Sequence, residues 1–235
     1  NNGTVKGGDV VCLLNGDHDI TVSGKDGVSI QNTPDYGKAT VIMAQQGQTN
    51  VGLSNLEVNN APNLTFDGIR VSLQFTPNKY CQCQPGQTSY LVYVKGSSAN
   101  FVLKNSEVFN EADSVTNGWS ADTWTNTNGG VYVRDSSNNA KITDNYFHSV
   151  GPDAVSAATS NTLVARNKID RFSGDGVKIG SPTGVIMEDN VITNVIRSSG
   201  YHADGGQIYV GGATVDGIII RRNRIYQDVD YNRPF

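Results

Sequence analysis

One phrase restricts this chain more than anything else in it: alternating apolar residues, two variable positions, an asparagine, then apolar again. It reads Ile142-Thr-Asp-Asn145-Tyr-Phe, Leu163-Val-Ala-Arg-Asn167-Lys-Ile, Ile186-Met-Glu-Asp-Asn190-Val-Ile and Ile219-Ile-Arg-Arg-Asn223-Arg-Ile. The asparagines are 22, 23 and 33 residues apart, the last interval being one period plus an insertion of about ten. Val102-Leu-Lys-Asn105 reads as an earlier copy, and Phe66-Asp67-Gly-Ile as a variant with Asp in place of Asn. A unit this short cannot bury its own apolar face, so successive units must stack on one another.

Each period holds two or three runs of alternating apolar residues rich in Val and Ile, punctuated by Gly, Asn, Asp or Ser. That is strand patterning with turn chemistry, and no segment sustains a helical period. Leucine-rich repeats share a similar period, but their Leu-x-x-Leu-x-Leu spacing and helical half are missing. A β-sandwich would not hold a fixed register around a recurring Asn. The reading is therefore an all-β, right-handed parallel β-helix with turns of about 22 residues, one domain over residues 1–235. Stacked at about 4.8 Å, equivalent Asn amides would bond to each other and to the backbone of a tight bend, which is a structural role. The first turn is read as Val10-Val11-Cys12-Leu13, Ile20-Thr-Val22 and Val28-Ser-Ile30. No capping element is legible near Phe235, so either further chain or an oligomer partner is expected to cover that end.

Composition closes off other classes. A net charge of -4 argues against a nucleic-acid binder with a broad basic face. No window of about 18 apolar residues exists to insert in a membrane, and no basic-then-apolar leader is visible at the start. Cys81 and Cys83 sit too close in sequence to bond to each other, and Cys12 stands alone in an apolar strand. They read as thiols without a special role, neither a disulfide framework nor a zinc set.

The strand preceding each Asn phrase aligns by its inward residues: Val92/Val94, Val131/Val133, Val155/Ala157, Val177/Ile179 and Gly206/Ile208. Side chains alternate along a strand, so three outward columns follow. One reads Tyr90, Gly129, Asp153, Asp175, Asp204; the next Tyr93, Tyr132, Ser156, Lys178, Gln207; the third Lys95, Arg134, Ala158, Gly180, Tyr209. His202 would extend the patch. Stacked carboxylates repel and raise each other's pKa, which suggests proton transfer, a bound cation such as Ca²⁺, or neighbouring lysines. Against that, Asp175-Gly176 and Asp204-Gly205 are also ordinary turn pairs at a strand start. Long connections at about 74–90 (with Lys79 and Tyr80), 110–128 and 196–203 (with Tyr201) all enter this strand and would wall a groove. Trp119 and Trp124 lie in the second of them, either as a local apolar plug or as a sugar-stacking platform.

The Asn-marked repeat and the segment Tyr201-His-Ala-Asp204-Gly-Gly-Gln207 resemble the pectate-lyase-like superfamily of right-handed β-helices. That group includes polysaccharide lyases, uronate epimerases, polygalacturonases and phage tailspikes. The paired Asp-Asp and Gly-His-Gly of polygalacturonases are missing here, as is the epimerases' Asp-Pro-His-Glu. The resemblance implies a polysaccharide partner and a secreted, extracellular or virion-surface location. It leaves three functions to weigh. β-Elimination or epimerisation of an acidic polysaccharide would use Lys178, Arg134 and Lys95 to neutralise a carboxylate, with Tyr132, Tyr209 or His202 as base or acid. Glycoside hydrolysis would use two members of the Asp153, Asp175, Asp204 column. A non-catalytic tailspike or adhesin shaft would bind glycans or only support other domains, as a trimer if it is a tailspike. The first is the leading expectation, with Tyr93, Lys95, Trp119, Trp124, Gln207 and Tyr209 binding substrate.

Overall fold

The computed structural model describes residues 5–18, 27–75, 90–111, 118–181, 183–196, 198 and 202–228. Lys79, Tyr80, Cys81, Cys83, Tyr201 and the Ile20–Val22 stretch lie outside the described residues. Among the described residues the chain winds through three sheets of eight, eight and seven strands, returning to each in the same order, so one turn of the coil adds one strand to every sheet. Successive turns pair in parallel throughout the three sheets. This is the right-handed parallel β-helix expected from the period.

Like stacks on like inside the coil. In the first sheet Leu103, Ile142, Val164 and Met187 lie in one register column, and in the second Val108, Phe147, Ile169 and Ile192 do the same. All are buried. Each such side chain contributes about 1.5–3 kcal/mol of apolar burial, and it does so only because the turns above and below present matching residues. The described strands are short, two to six residues, because the coil is a narrow prism whose interior those side chains fill.

The bend between the first and second sheets explains the asparagine. The chain turns there within two residues, the first held left-handed at Asp144 (φ 60), Arg166 (φ 55), Asp189 (φ 56) and Arg222 (φ 55). The second is the repeated Asn. Asn167 donates its side-chain amide to the Ile142 carbonyl (2.8 Å) and to Asn190 Oδ1 (3.0 Å), while its own Oδ1 accepts from the backbone and side chain of Asn145 (3.0 and 3.1 Å). Asn190 and Asn223 repeat the pattern.

The earlier copies need correction. Asn105 is the left-handed residue of its bend (φ 51), and its amide reaches Asp67. Ser106 occupies the ladder position, donating its backbone N–H to Asn145 Oδ1 (3.0 Å). Asp67 pairs with Lys104 inside the strand and is no ladder member either. Outside the bend the left-handed residues alternate in charge, and Arg166 grips Asp144 while Arg222 grips Asp189. Among the described residues the only α-helix is Ala121–Asn126, and no helix is long and apolar enough to cross a membrane.

Candidate active site

The outward face of the third sheet carries the aligned columns in the register expected from sequence. Tyr132 pairs with Tyr93 and Ser156, Ser156 with Lys178, and Lys178 with Gln207. Asp153 pairs with Asp175, and Asp204 brackets Asp175 by two backbone bonds, Gly176 N to Asp204 O (2.8 Å) and Asp204 N to Gly174 O (3.2 Å). The sheet also continues two turns further than the columns anticipated, with Glu57 opposite Tyr93 and Ser29 opposite Glu57.

Strict alternation fails at one register position, at Leu91 and Val92 as well as two turns later, and the failure shapes the site. Ala154 and Val155 are both buried in the core. The strand rounds a corner there, so Asp153 and Ser156 both face outward, three residues apart. The corner gathers groups that a flat strand would separate. The Tyr90 hydroxyl donates to Asp153 Oδ2 (2.6 Å), and Lys178 Nζ stands 3.9 Å from the same oxygen.

Tyr90 belongs to the turn two places earlier, and Gly129 is what lets it reach. A Cβ at Gly129 would fall 2.5 Å from the Tyr90 ring and 2.9 Å from the Asp153 carbonyl. The missing side chain is the passage through which the tyrosine crosses a whole turn. The sequence held this signal as a glycine inside an outward column, but it did not mark Tyr90 as part of the site.

Burial and like charge dominate the electrostatics. Asp153 is 6 % exposed and Asp175 4 %. Burial raises the Asp153 pKa, opposed by the Tyr90 hydrogen bond and by Lys178. Asp175 is raised to about 6, first by burial, then by the Asp153 carboxylate, with Asp204 adding to it and Lys178 opposing. Its Oδ1 is buried without a hydrogen-bond partner. Tyr132 is raised by burial, and Tyr90 far more so by burial and the Asp153 charge. Both phenols are held protonated.

The remaining expected residues divide. Lys178 sits over the Tyr209 ring (5.8 Å) and Gln207 reaches Asp204 Oδ2 (3.4 Å). Tyr93 and Tyr132 stack at 5.6 Å, and Arg134 bonds the Tyr93 hydroxyl (3.3 Å). Lys95 and Arg134 are already paired, with Glu57 (2.9 Å) and Asp135 (2.8 Å). His202 is exposed, and the described contacts of the Asp column do not include it. The tryptophans are not a platform: Trp119 and Trp124 pack edge to face at 4.7 Å in a buried cluster with Ile196. The Trp124 carbonyl accepts from Ser173 Oγ (2.8 Å), so the plug fastens its loop beside the strand that begins at Asp175.

A family model described as a right-handed beta helix region matches residues 88–231, more than half the chain and the whole of this face from Tyr90 onward. The chain belongs to that family. No curated protein and no solved structure matches it. Family membership accounts for the coil and assigns no activity to it.

Among the described residues no group of three His, Cys, Asp or Glu converges to hold a metal ion. Calcium needs several oxygen ligands around one point, and one Asp153 oxygen is already committed to Tyr90 and Lys178. The Asp column therefore offers no preformed calcium site. A groove of about 650 Å³ lies elsewhere, at the bend between the first and second sheets, lined by Arg70, Glu107, Tyr146, Arg166 and Lys168. Its charges largely neutralise each other, Arg70 with Glu107 and Arg166 with Asp144. Glu107 there is held below the ordinary carboxylate range, chiefly by its hydrogen bond with His148 and also by Arg70.

Proposed function

We propose that this β-helix cleaves the glycosidic bonds of a polysaccharide, with Asp175 as general acid and Asp204 as its carboxylate partner. The observation that carries the reading is Asp175 itself, a buried carboxyl between two others, raised to about 6, with one oxygen unpartnered. A general acid has to hold a proton near working pH, and flanking carboxylates do that. Asp204, the half-buried carboxylate of the column, would act as nucleophile on the anomeric carbon. Neighbouring turns are about 4.8 Å apart, nearer the roughly 5–5.5 Å carboxyl separation of retaining glycosidases than the wider inverting spacing. Asp175 would protonate the departing oxygen as the C–O bond breaks and Asp204 bonds to the sugar. Deprotonated, it would then draw a proton from the water that releases the sugar. Asp153, held by Tyr90 and Lys178, would stand beside Asp175 and raise its pKa wherever it is ionised.

Elimination on a uronate is the second reading, and Lys178 favours it, as the cation on this face closest to the carboxylates. It also needs a base, and the raised pKa values of Tyr90 and Tyr132 make both poor ones. The test is incubation with alginate, polygalacturonate, glycosaminoglycans and neutral glycans, with and without EDTA. Hydrolysis predicts new reducing ends without ultraviolet absorbance of an unsaturated uronate, activity falling as pH rises through about 6, and loss of at least about 10³-fold in Asp175→Asn. Absorbance with the reducing ends would establish elimination. No product from any glycan would overturn both and favour a glycan-binding spike.

A further inference from the structure

The outward face of the first sheet carries an apolar stripe. Leu103, Ile142, Val164 and Met187 point into the core, so the residues on either side of each point out. The column before them holds Thr65, Val102, Lys141, Leu163, Ile186 and Ile219 in consecutive register. Val41 and Val10 carry it two turns further toward the start of the coil. Only Thr65 and Lys141 interrupt the stripe. Its apolar members are half-buried or exposed, Val10 at 57 % and Ile219 at 41 %. A contiguous apolar surface of this length marks a contact with a partner.

The charges beside the stripe identify that partner. The other outward column and the bend after it carry ion pairs between neighbouring turns, Lys104 with Asp67 (3.0 Å), Arg166 with Asp144 (2.7 Å) and Arg221 with Glu188 (2.7 Å). Consider a second copy laid on this face in reverse, with the two-fold axis crossing the coil between the Asp144 and Arg166 turns. Each strand then meets the strand equally far from the axis on the other copy. Asp144 faces the partner's Arg166, Lys104 the partner's Glu188, and Asp67 the partner's Arg221, so each ion pair closes into a ring of four alternating charges. Val102 meets the partner's Ile186, and Lys141 lays its stem along the partner's Leu163 with its ammonium reaching water. Other registers lose this match. Moving the axis half a turn one way sets Asp144 and Lys141 each against its own copy, and half a turn the other way does so for Arg166. A full turn either way undoes the Lys104 and Asp67 pairings. A parallel packing in step would set every charge level with its like, which is costly.

The geometry points to an isologous dimer in which two coils pack antiparallel through their first sheets. The overlap runs from the Asp67 turn to the Arg221 turn, about 24 Å along the axis, on strands three to five residues wide. That puts the contact at the small end of the interface range, so the dimer exchanges reversibly with monomer. The Asp column lies on a different sheet, and the dimer holds or fails independently of the catalytic reading above.

Sedimentation velocity over a concentration series of the full chain reads the association, with circular dichroism to show that each variant is folded. The mass is expected to rise from one chain to two, half-converted at roughly 10–100 μM. Ile186→Lys sets a charge against the partner's Val102 and should weaken the dimer at least about tenfold. Lys104→Glu sets an acid against the partner's Glu188 and should weaken it severalfold. Val10→Lys makes the same kind of change in the same column but beyond the overlap, and should leave the dimer intact. A single-chain mass up to roughly 1 mM protein overturns the proposal, as does assembly beyond two copies. Unchanged association of folded Ile186→Lys or Lys104→Glu overturns it too. So does a Val10→Lys variant weakened as much as Ile186→Lys, which would mean an apolar surface without register.

Discussion

Among the polar columns that run down this coil, the one at the bend between the first and second sheets is at rest, and the one at the start of the third-sheet strands is not. In the Asn column every side chain has both a donor and an acceptor, so each amide serves the turn before it and the turn after it. Stacking the same residue again adds satisfied bonds. In the Asp column the side chains are acceptors alone, and repeating them adds repulsion. Asp153 is relieved by Tyr90 and Lys178, while Asp175 is left with a raised pKa and an orphaned oxygen. A repeat protein copies a position wherever copying stabilises it. A column that is copied against its own electrostatics has another reason to exist.

The largest expected effect is at the resting column. Asn167→Ala removes four hydrogen bonds and leaves the Asn145 backbone N–H and the Ile142 carbonyl buried without their partner. At about 1 kcal/mol per bond, and more where a buried group is stranded, the loss is about 4 kcal/mol. That is a fall of roughly 8–16 °C in Tm for a chain this long, measurable by calorimetry. A fall of under about 2 °C would mean that the ladder is decoration on a coil held by its apolar core alone.

The opposite sign is expected at the strained column. An ordinary Asp titrates near 3.9 when unfolded, and Asp175 near 6 when folded. Between those values the native state holds a proton that the unfolded chain has released, so this residue makes stability fall as pH rises from about 4 to about 6. The full difference is on the order of 3 kcal/mol. Asp175→Asn should recover on the order of 1–3 kcal/mol at pH 7.5 and flatten the pH dependence of Tm across that window, while abolishing cleavage. Stability gained as activity is lost is the mark of a site held in strain for function. A variant that loses stability at pH 7.5 would place Asp175 with the structural residues.

How much of this could be read beforehand follows from the same contrast. The coil was legible because one interaction, Asn on Asn, returns at a fixed interval, and the register of the third sheet was legible because Val and Ile alternate with polar residues. The period is less legible where insertions stretch it: Asn105 mimics a ladder residue one position too early, since Ser106 performs the same backbone bond without looking like Asn. The site was legible as columns, which are local, but not as contacts between turns. Tyr90 meets Asp153 across 63 residues through the space left by Gly129, and Trp124 meets Ile196 in a plug. Strict alternation along the strand also hid the corner at Ala154 and Val155 that sets Asp153 beside Ser156. Pairings of this kind depend on which side chain is absent from the turn between, and periodicity does not encode that.

The smallest effect tests whether the Asp column is one coupled unit. Tyr90→Phe keeps the ring over Gly129 and removes only the hydroxyl that bonds Asp153, at a cost of about 1–2 kcal/mol. The informative consequence is electrostatic. Without that donor the Asp153 carboxyl is protonated more readily, since the Tyr90 bond is the largest influence opposing its burial. A more neutral Asp153 pushes less on Asp175, because its charge is second only to burial in raising that group. The pKa of Asp175 should therefore drop, and the fall in activity with rising pH should move below about 6. A residue that merely packs would lower stability and leave the pH profile in place. A displaced profile would show that Asp153 and Asp175, from different turns of the coil, titrate together, and that the strain of the column is shared along it.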